Sequence, residues 1–407
     1  MSPRLLLCGI ALLGVSTGSA QSAARADTLH VLLVGNSYLY YNNAPAMLEA
    51  IARASRGPVI QTRLVAHGGW SLQDHLEDST TRRIMAERRW DWVVVNEQSM
   101  LGMTYFLNGV QRVYSARRFA ASAAQLASQL GERGAKLLIV RNWSRRTATS
   151  RDAQALAFAF DSVSRALQVP LAPVDVAWTL SSMRSVLYDP DGSHPSPAGS
   201  YLLANVLYAS ITRRAPSGSV AKIQGSMIEQ ADGTVRPESV VTLVSLTRGT
   251  AQKLQTAAWV AVQRYWSQPA QGVPAKMPPL ALPSLPQRRD PLTAARLAGE
   301  WRGFTTLYPG KVPTGLALKI DTLENKLRGT LTLRPGTADS SSVAAEIVIE
   351  RDSVIQFVDP KGPNSGTVLY RGVLSRARLE GVAEFRIPDP WLSGAGTWQL
   401  TKQVRKQ

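Results

Sequence analysis

From Leu29 to about Arg213, short apolar runs alternate with longer segments in which apolar residues recur every three or four positions. The runs Leu29–Val34, Val59–Val65, Trp92–Val95, Lys136–Val140 and Leu171–Val174 are mostly rich in Val, Ile and Leu. Such runs predict strands buried on both faces, as in a parallel sheet. The segments Ala44–Ser55, Val113–Leu130, Arg151–Leu167 and Pro197–Ile211 carry the helical period. Strands alternating with helices predict a three-layer α/β domain with helices on both faces of the sheet. Residues 215–249 show no clear period, and Thr250–Trp266 is again amphipathic, predicting one more helix for the same domain.

The pattern then breaks. Between Ser267 and Pro291 lie Pro269, Pro274, Pro278, Pro279, Pro283, Pro286 and Pro291, which cannot continue a helix or a central strand. This stretch reads as a linker. Beyond it, Leu297 to Lys402 alternates apolar and polar residues in roughly eight short runs broken by Gly, Pro, Asn and Asp. A small antiparallel barrel or sandwich is expected. The triplets Gly299-Glu300-Trp301 and Gly396-Thr397-Trp398 are alike, and the first resembles the opening strand of lipocalin-like barrels. The predicted organisation is a leader over 1–20, an α/β domain over 27–266, a linker over 267–291 and a β-rich domain over 292–407.

The leader rests on Arg4, the apolar run Leu5–Val15 and the small residues Ser16 to Ala20. That run is too short to span a bilayer and suits a cleavable signal. Ala24-Arg25-Ala26 offers a second cut. A secreted or periplasmic protein without a transmembrane segment is expected. Cys8, the single cysteine of the 407 residues, lies in this leader. The mature chain is therefore expected to lack disulfides and thiolate chemistry. The formal charge of +17 favours an anionic surface as surroundings. Its arginines come as dispersed pairs such as Arg82-Arg83 and Arg145-Arg146, which, with the leader, argues against nucleic acid.

Two short motifs carry the candidate chemistry. Gly35-Asn36-Ser37 follows the first predicted strand, placing a hydroxyl where open α/β sheets bind ligands. Ser37 as a helix cap is the plain alternative, although Asn42 and Asn43 are nearer to the helical period. Asp191-Gly192-Ser193-His194 precedes the helix starting at Pro197. An Asp-x-x-His turn lets the carboxylate fix the imidazole tautomer and support the imidazolium. A serine needs such a base to become a nucleophile.

Together these motifs resemble the SGNH/GDSL hydrolase family over residues 29–213. The resemblance implies that Ser37 is the nucleophile, His194 the general base and Asp191 its orienting partner, acting on an ester bond without a cofactor. It also implies oxyanion donors from the Ser37 N–H, a glycine after the second strand and an asparagine after the third. Gly69 matches the glycine, with Gly68 beside it, and Asn96 matches the asparagine, with Gln98 as the alternate amide. The segment Asn96-Glu97-Gln98 departs from the usual family pattern Gly-x-Asn-Asp, and Asn36 stands where Asp is commonest. Beyond the expected leader no Gly-x-Ser-x-Gly elbow occurs. His67, Asp74, His75, Glu77 and Asp78 are close in sequence but lack a recognised zinc spacing, so no metal is expected.

The family allows lipid ester and thioester hydrolysis as well as deacylation of polysaccharide. Export, the basic surface and the β domain favour O-acyl groups on carbohydrate, with Tyr38, Tyr40, Tyr41 and Trp70 as candidate ring-stacking or packing residues. Two non-enzymatic readings stand beside this one: an SGNH-like binding domain without catalysis, and a protein governed by a carbohydrate- or surface-binding β domain.

Overall fold

The computed structural model describes residues 28–403 except 100, 102–103, 108–109, 114–115, 147, 149, 219, 269–281, 307–312, 324–325, 339, 361–366 and 387–393. The expected leader and residues 269–281 of the expected linker lie outside the described residues. In chain order the first half forms β1 (Thr28–Gly35), α1 (Ser37–Tyr40), α2 (Ala44–Ala54), β2 (Val59–Ala66), α3 (Leu72–Glu77), α4 (Ser79–Ala86) and β3 (Trp92–Asn96). A hairpin of β4 (Thr104–Leu107) and β5 (Val110–Val113) follows, then α5 (Ala116–Gly131), β6 (Lys136–Val140), α6 (Ser150–Leu167) and β7 (Leu171–Ala172). Next come α7 (Val174–Leu180), α8 (Arg184–Leu187), α9 (Pro197–Thr212), a hairpin of β8 (Lys222–Ile228) and β9 (Val235–Ser245), and α10 (Arg248–Ser267).

Strands β1, β2, β3, β6 and β7 form one parallel sheet in the order β2-β1-β3-β6-β7. Counting only its own strands, this is the 2-1-3-4-5 order of flavodoxin-like sheets, whose carboxyl ends host ligands. Alternation along β1 builds two cores. Val31 and Leu33 pack on the α2, α9 and α10 side, while Leu32 and Val34 pack on the α3, α5 and α6 side. A strand apolar on both faces demands such a sandwich. The predicted strand Leu171–Val174 ends two residues early, because Pro173 halts the ladder and Val174 opens α7.

The second half begins with α11 (Ala294–Leu297) and then forms eight strands: β10 (Gly299–Thr305), β11 (Thr314–Leu323), β12 (Lys326–Leu333), β13 (Ser341–Glu350), β14 (Val354–Asp359), β15 (Thr367–Ser375), β16 (Arg378–Arg386) and β17 (Gly394–Lys402). Each pairs antiparallel with its sequence neighbour, and β10 pairs with β17 to close a barrel. Closure removes the exposed edges that an open sheet would present. The two Gly-x-Trp triplets lie on the closing strands. Their indoles enter the core with Phe357 and Tyr370, and Trp398 Nε1 donates to the Arg371 and Val382 carbonyls at 3.2 and 3.1 Å. Among the described residues no helix is long and apolar enough to cross a membrane.

Candidate active site

Gly35 ends β1, Asn36 caps the short α1, and Ser37 is the first residue of that helix. Asn36 Oδ1 accepts from the Tyr38 N–H at 3.2 Å. Asn43, rather than Ser37, caps α2, accepting from the Ala46 N–H at 3.1 Å. The Ser37 hydroxyl is thereby left for other partners. Its Oγ lies 2.8 Å from His194 Nε2, across 157 residues of sequence.

The loop ahead of α9 supplies the rest. Asp191 Oδ2 bonds to His194 Nδ1, and Asp191 Oδ1 accepts from the Ser193 and His194 backbone N–H groups at 2.8 and 2.9 Å. Gly192 has φ +69°, the left-handed region in which glycine is least strained, and turns the loop tightly enough for these bonds. Burial raises the Asp191 carboxyl, but the bonds from His194 and the two amides outweigh it and hold it below its ordinary value. The carboxylate therefore stays ionised. With Nδ1 facing that carboxylate, Nε2 is presented to Ser37 as the acceptor of a proton.

The loop is braced from beneath. Trp143 Nε1 donates to the Ser193 carbonyl at 3.0 Å, and Tyr38, Trp143 and Trp178 stack in a column with centroid separations of 4.4 and 4.3 Å. The Tyr38 hydroxyl lies 2.8 Å from Ser193 Oγ, and burial raises its pKa.

The third strand delivers Asn96, but its amide faces Asn36. Asn36 N–H donates to Asn96 Oδ1 at 3.0 Å, and Asn96 Nδ2 donates to Asn36 Oδ1 at 2.8 Å and to the Glu97 carbonyl at 3.3 Å. Both amide hydrogens of Asn96 are thus engaged. Gln98 Nε2 instead donates to the Gly69 carbonyl at 3.2 Å, and Asn36 Nδ2 to the Trp70 carbonyl at 3.0 Å. These bonds fix the Gly68-Gly69-Trp70 turn beside Ser37. Gly69 has φ +74°, and its N–H has no acceptor among the described residues.

His75 was not an expected site residue, and it is tied to the strand that leads to Ser37. It is buried, with Nε2 2.7 Å from the Gly35 carbonyl and Nδ1 3.1 Å from Thr81 Oγ1. Burial lowers its pKa to about 4. Asp74 completes a capping box with Ser71, and Asp78 caps α4. These side chains serve helix ends, and among the described residues no group of three or more His, Cys, Asp or Glu is placed to hold a metal ion. Of the four aromatic candidates, Tyr38 and Tyr40 are buried. Tyr41 and Trp70 are half-buried, Tyr41 stacking on His194 and Trp70 leaning on His67. Tyr41 and Asn42 were not legible as parts of the His194 environment, because their contacts arise only when the loop folds against α1.

No protein-family model matches the chain, and no curated protein matches it in sequence. Solved structures do. An SGNH hydrolase candidate from Slackia heliotrinireducens is 27% identical, with a TM-score of 0.38, over 46% of this chain and 100% of that one. A DUF4886 family protein from Bacteroides uniformis is 16% identical, with a TM-score of 0.42, over 58% of this chain and 95% of that one. A variant of an acetylxylan esterase from Geobacillus stearothermophilus is 12% identical, with a TM-score of 0.36, over 46% of this chain and 96% of that one. With its 2-1-3-4-5 sheet, a serine at the end of the first strand and an Asp-x-x-His loop ahead of α9, the parallel-sheet half of this chain has the SGNH-type fold.

Proposed function

We propose that the chain is a serine ester hydrolase with Ser37 as nucleophile, His194 as general base and Asp191 as its orienting carboxylate. The observation that carries this reading is the continuous line of hydrogen bonds from Ser37 Oγ through the imidazole to Asp191. In the first half-reaction His194 Nε2 takes the Ser37 proton as Oγ bonds to the ester carbonyl carbon. The carbonyl π pair moves to oxygen. When the tetrahedral intermediate collapses, the C–O bond to the alcohol breaks and His194 returns the proton to that alcohol. Water, deprotonated by His194, then attacks the acyl-enzyme, releasing the acid and restoring Ser37.

The Ser37 and Gly69 N–H groups are the proposed oxyanion donors, each worth on the order of two to three powers of ten in rate. Asn96, with both amide hydrogens occupied, acts through Asn36, and Gln98 acts through the Gly69 peptide. The proposed substrate is an O-acetyl or other short acyl ester on carbohydrate, met outside the cytoplasm after removal of the leader. The half-buried Trp70 ring supports a sugar-bearing substrate, since aromatic faces pair well with amphipathic rings.

A panel of short-chain p-nitrophenyl esters and acetylated glycans, assayed with wild type and Ser37→Ala, tests this. Ser37→Ala is expected to lower kcat by at least about three powers of ten and to abolish labelling by a fluorophosphonate. Unchanged turnover in Ser37→Ala overturns the assignment. Absence of labelling in the folded wild type favours a binding protein instead.

A further inference from the structure

The imidazole of His194 is restrained by more than Asp191. Tyr41 lies flat upon it, with ring centroids 4.1 Å apart and planes within 9°, while Tyr38 meets its edge at 5.7 Å. The backbone that delivers Tyr41 is unusual. The residues following it, Asn42 and Asn43, both adopt left-handed conformations, with φ of 53° and 52°. Consecutive side-chain-bearing residues in that region are held only where their surroundings over-determine them.

The surroundings here do so, and they do so at the site. Asn42 Nδ2 donates to the Pro195 carbonyl and to Ser200 Oγ, both at 2.9 Å. Ser200 Oγ in turn donates to the Tyr41 carbonyl at 3.0 Å. Asn43 caps α2 and donates to the Ser226 carbonyl at 2.8 Å. Asn42 therefore staples the segment after Ser37 to the residue after His194. Tyr41 is half-buried rather than part of the inner core, so filling space does not account for a strained backbone that lays its ring on this one side chain.

We infer that Tyr41 and Asn42 are positioning residues for His194, an inference that rests on Ser37 and His194 being the nucleophile and base. Asn42 sets the spacing between the two segments. Tyr41 holds the imidazole plane so that Nε2 faces Ser37 Oγ through both proton transfers, and its π face favours the imidazolium formed between them. A positioning role of this kind affects turnover more than binding, because misplacement of about an ångström at a reacting group costs up to roughly a hundredfold.

The test uses the full chain with Tyr41→Phe, Tyr41→Leu and Asn42→Gly. Kinetics on p-nitrophenyl acetate and rates of fluorophosphonate labelling are measured beside melting temperature. Tyr41→Phe keeps the stacked ring and is expected to stay within about twofold of wild type. Tyr41→Leu is expected to lower kcat and the labelling rate about tenfold or more, with KM within about twofold. Asn42→Gly accepts the positive φ without strain but loses both side-chain hydrogen bonds, so its melting temperature should fall by only a few degrees and, assayed below that transition, kcat should fall similarly. Full turnover in both Tyr41→Leu and Asn42→Gly overturns the proposal, as does equal loss in Tyr41→Phe and Tyr41→Leu.

A second measurement does not depend on activity. The chain has four histidines, so the ring protons of His194 can be assigned by NMR using a His194→Gln control. The ring current of a stacked Tyr41 should displace those signals upfield, with the displacement kept in Tyr41→Phe and lost in Tyr41→Leu. An inert wild type that shows this pattern removes the esterase reading but keeps the restraint on the imidazole. Unchanged His194 signals in Tyr41→Leu overturn the inference whatever the activity.

Discussion

Two buried side chains bond to the residues leading into Ser37, Asn96 to Asn36 and His75 to the Gly35 carbonyl, and each makes a distinct prediction. Asn96 is fully buried and exchanges two hydrogen bonds with Asn36, one residue before the nucleophile. Asn96→Ala leaves the Asn36 N–H and Oδ1 without those partners, at a cost of about 1–3 kcal/mol. If Asn96 acts through Asn36, Asn96→Ala should lower kcat without changing which esters are accepted; urea unfolding and the ester panel check both halves. His75 predicts a pH effect. Burial, against the pull of the Gly35 carbonyl, lowers it to about 4 from an ordinary 6.5. Between those values the unfolded chain binds a proton that the folded chain does not, so stability is full above 6.5 and is lost as pH falls towards 4. The loss by pH 5 should be ~2 kcal/mol and, when complete, ~3 kcal/mol. His75→Gln keeps an N–H for the Gly35 carbonyl but cannot titrate. Urea unfolding at pH 7.5 and 5 should show that component of the pH dependence in wild type and not in the variant.

At the scale of elements, the site depends on how α9 sits against the loop bearing His194. A Cβ at Gly199, in the first turn of α9, would overlap the Leu187 carbonyl and approach Trp178 Cη2 at 2.7 Å and Pro195 Cβ at 3.0 Å. By helix propensity alone Gly199→Ala gains about 1 kcal/mol, but overpacking against a backbone oxygen costs roughly 1–3 kcal/mol. The clash should win: the variant is expected to melt lower than wild type, and its displaced loop to turn over ester more slowly. A higher melting temperature would show that α9 moves freely. The same elements mark what the sequence reveals. Strands β1, β2, β3 and β6 and helices α2, α6 and α9 were legible to within about two residues, the strands as short apolar runs and the helices because they are long enough to show their period. Helices α3 and α4 were not, being short and largely polar outside a few apolar positions. The β8–β9 hairpin escaped because Val235, Val240 and Val241 are exposed on β9, so no buried alternation appears. In the site, the Asp191 to His194 turn was readable since it closes locally. The orientation of Asn96 was not, because its partner is 60 residues away and the choice between Asn36 and an oxyanion is made by packing.

Among the described residues the buried apolar side chains form three clusters that share no member: one on each face of the parallel sheet, and one in the barrel interior. If the sheet half and the barrel are separate units, each should unfold on its own terms. The sheet half is sealed by α2, α5, α9 and α10, and the barrel closes its own hydrogen-bonding edge through β10 and β17. A substitution confined to the barrel core should therefore be felt there alone. Trp398 is the choice, since it packs on Phe357 and Tyr370 and donates its indole N–H to two carbonyls. Trp398→Ala removes about 3–5 kcal/mol from the barrel. Thermal unfolding of wild type should resolve two transitions, and only one should move in the variant. Ester turnover by the intact variant, read below that transition, should stay within about twofold of wild type, because every residue proposed for the chemistry lies between Ser37 and His194. A single transition carrying both signals would show one cooperative unit. Turnover lost with the barrel would make the second half part of the substrate site, and the carbohydrate specificity proposed for Trp70 would then have to be shared with it.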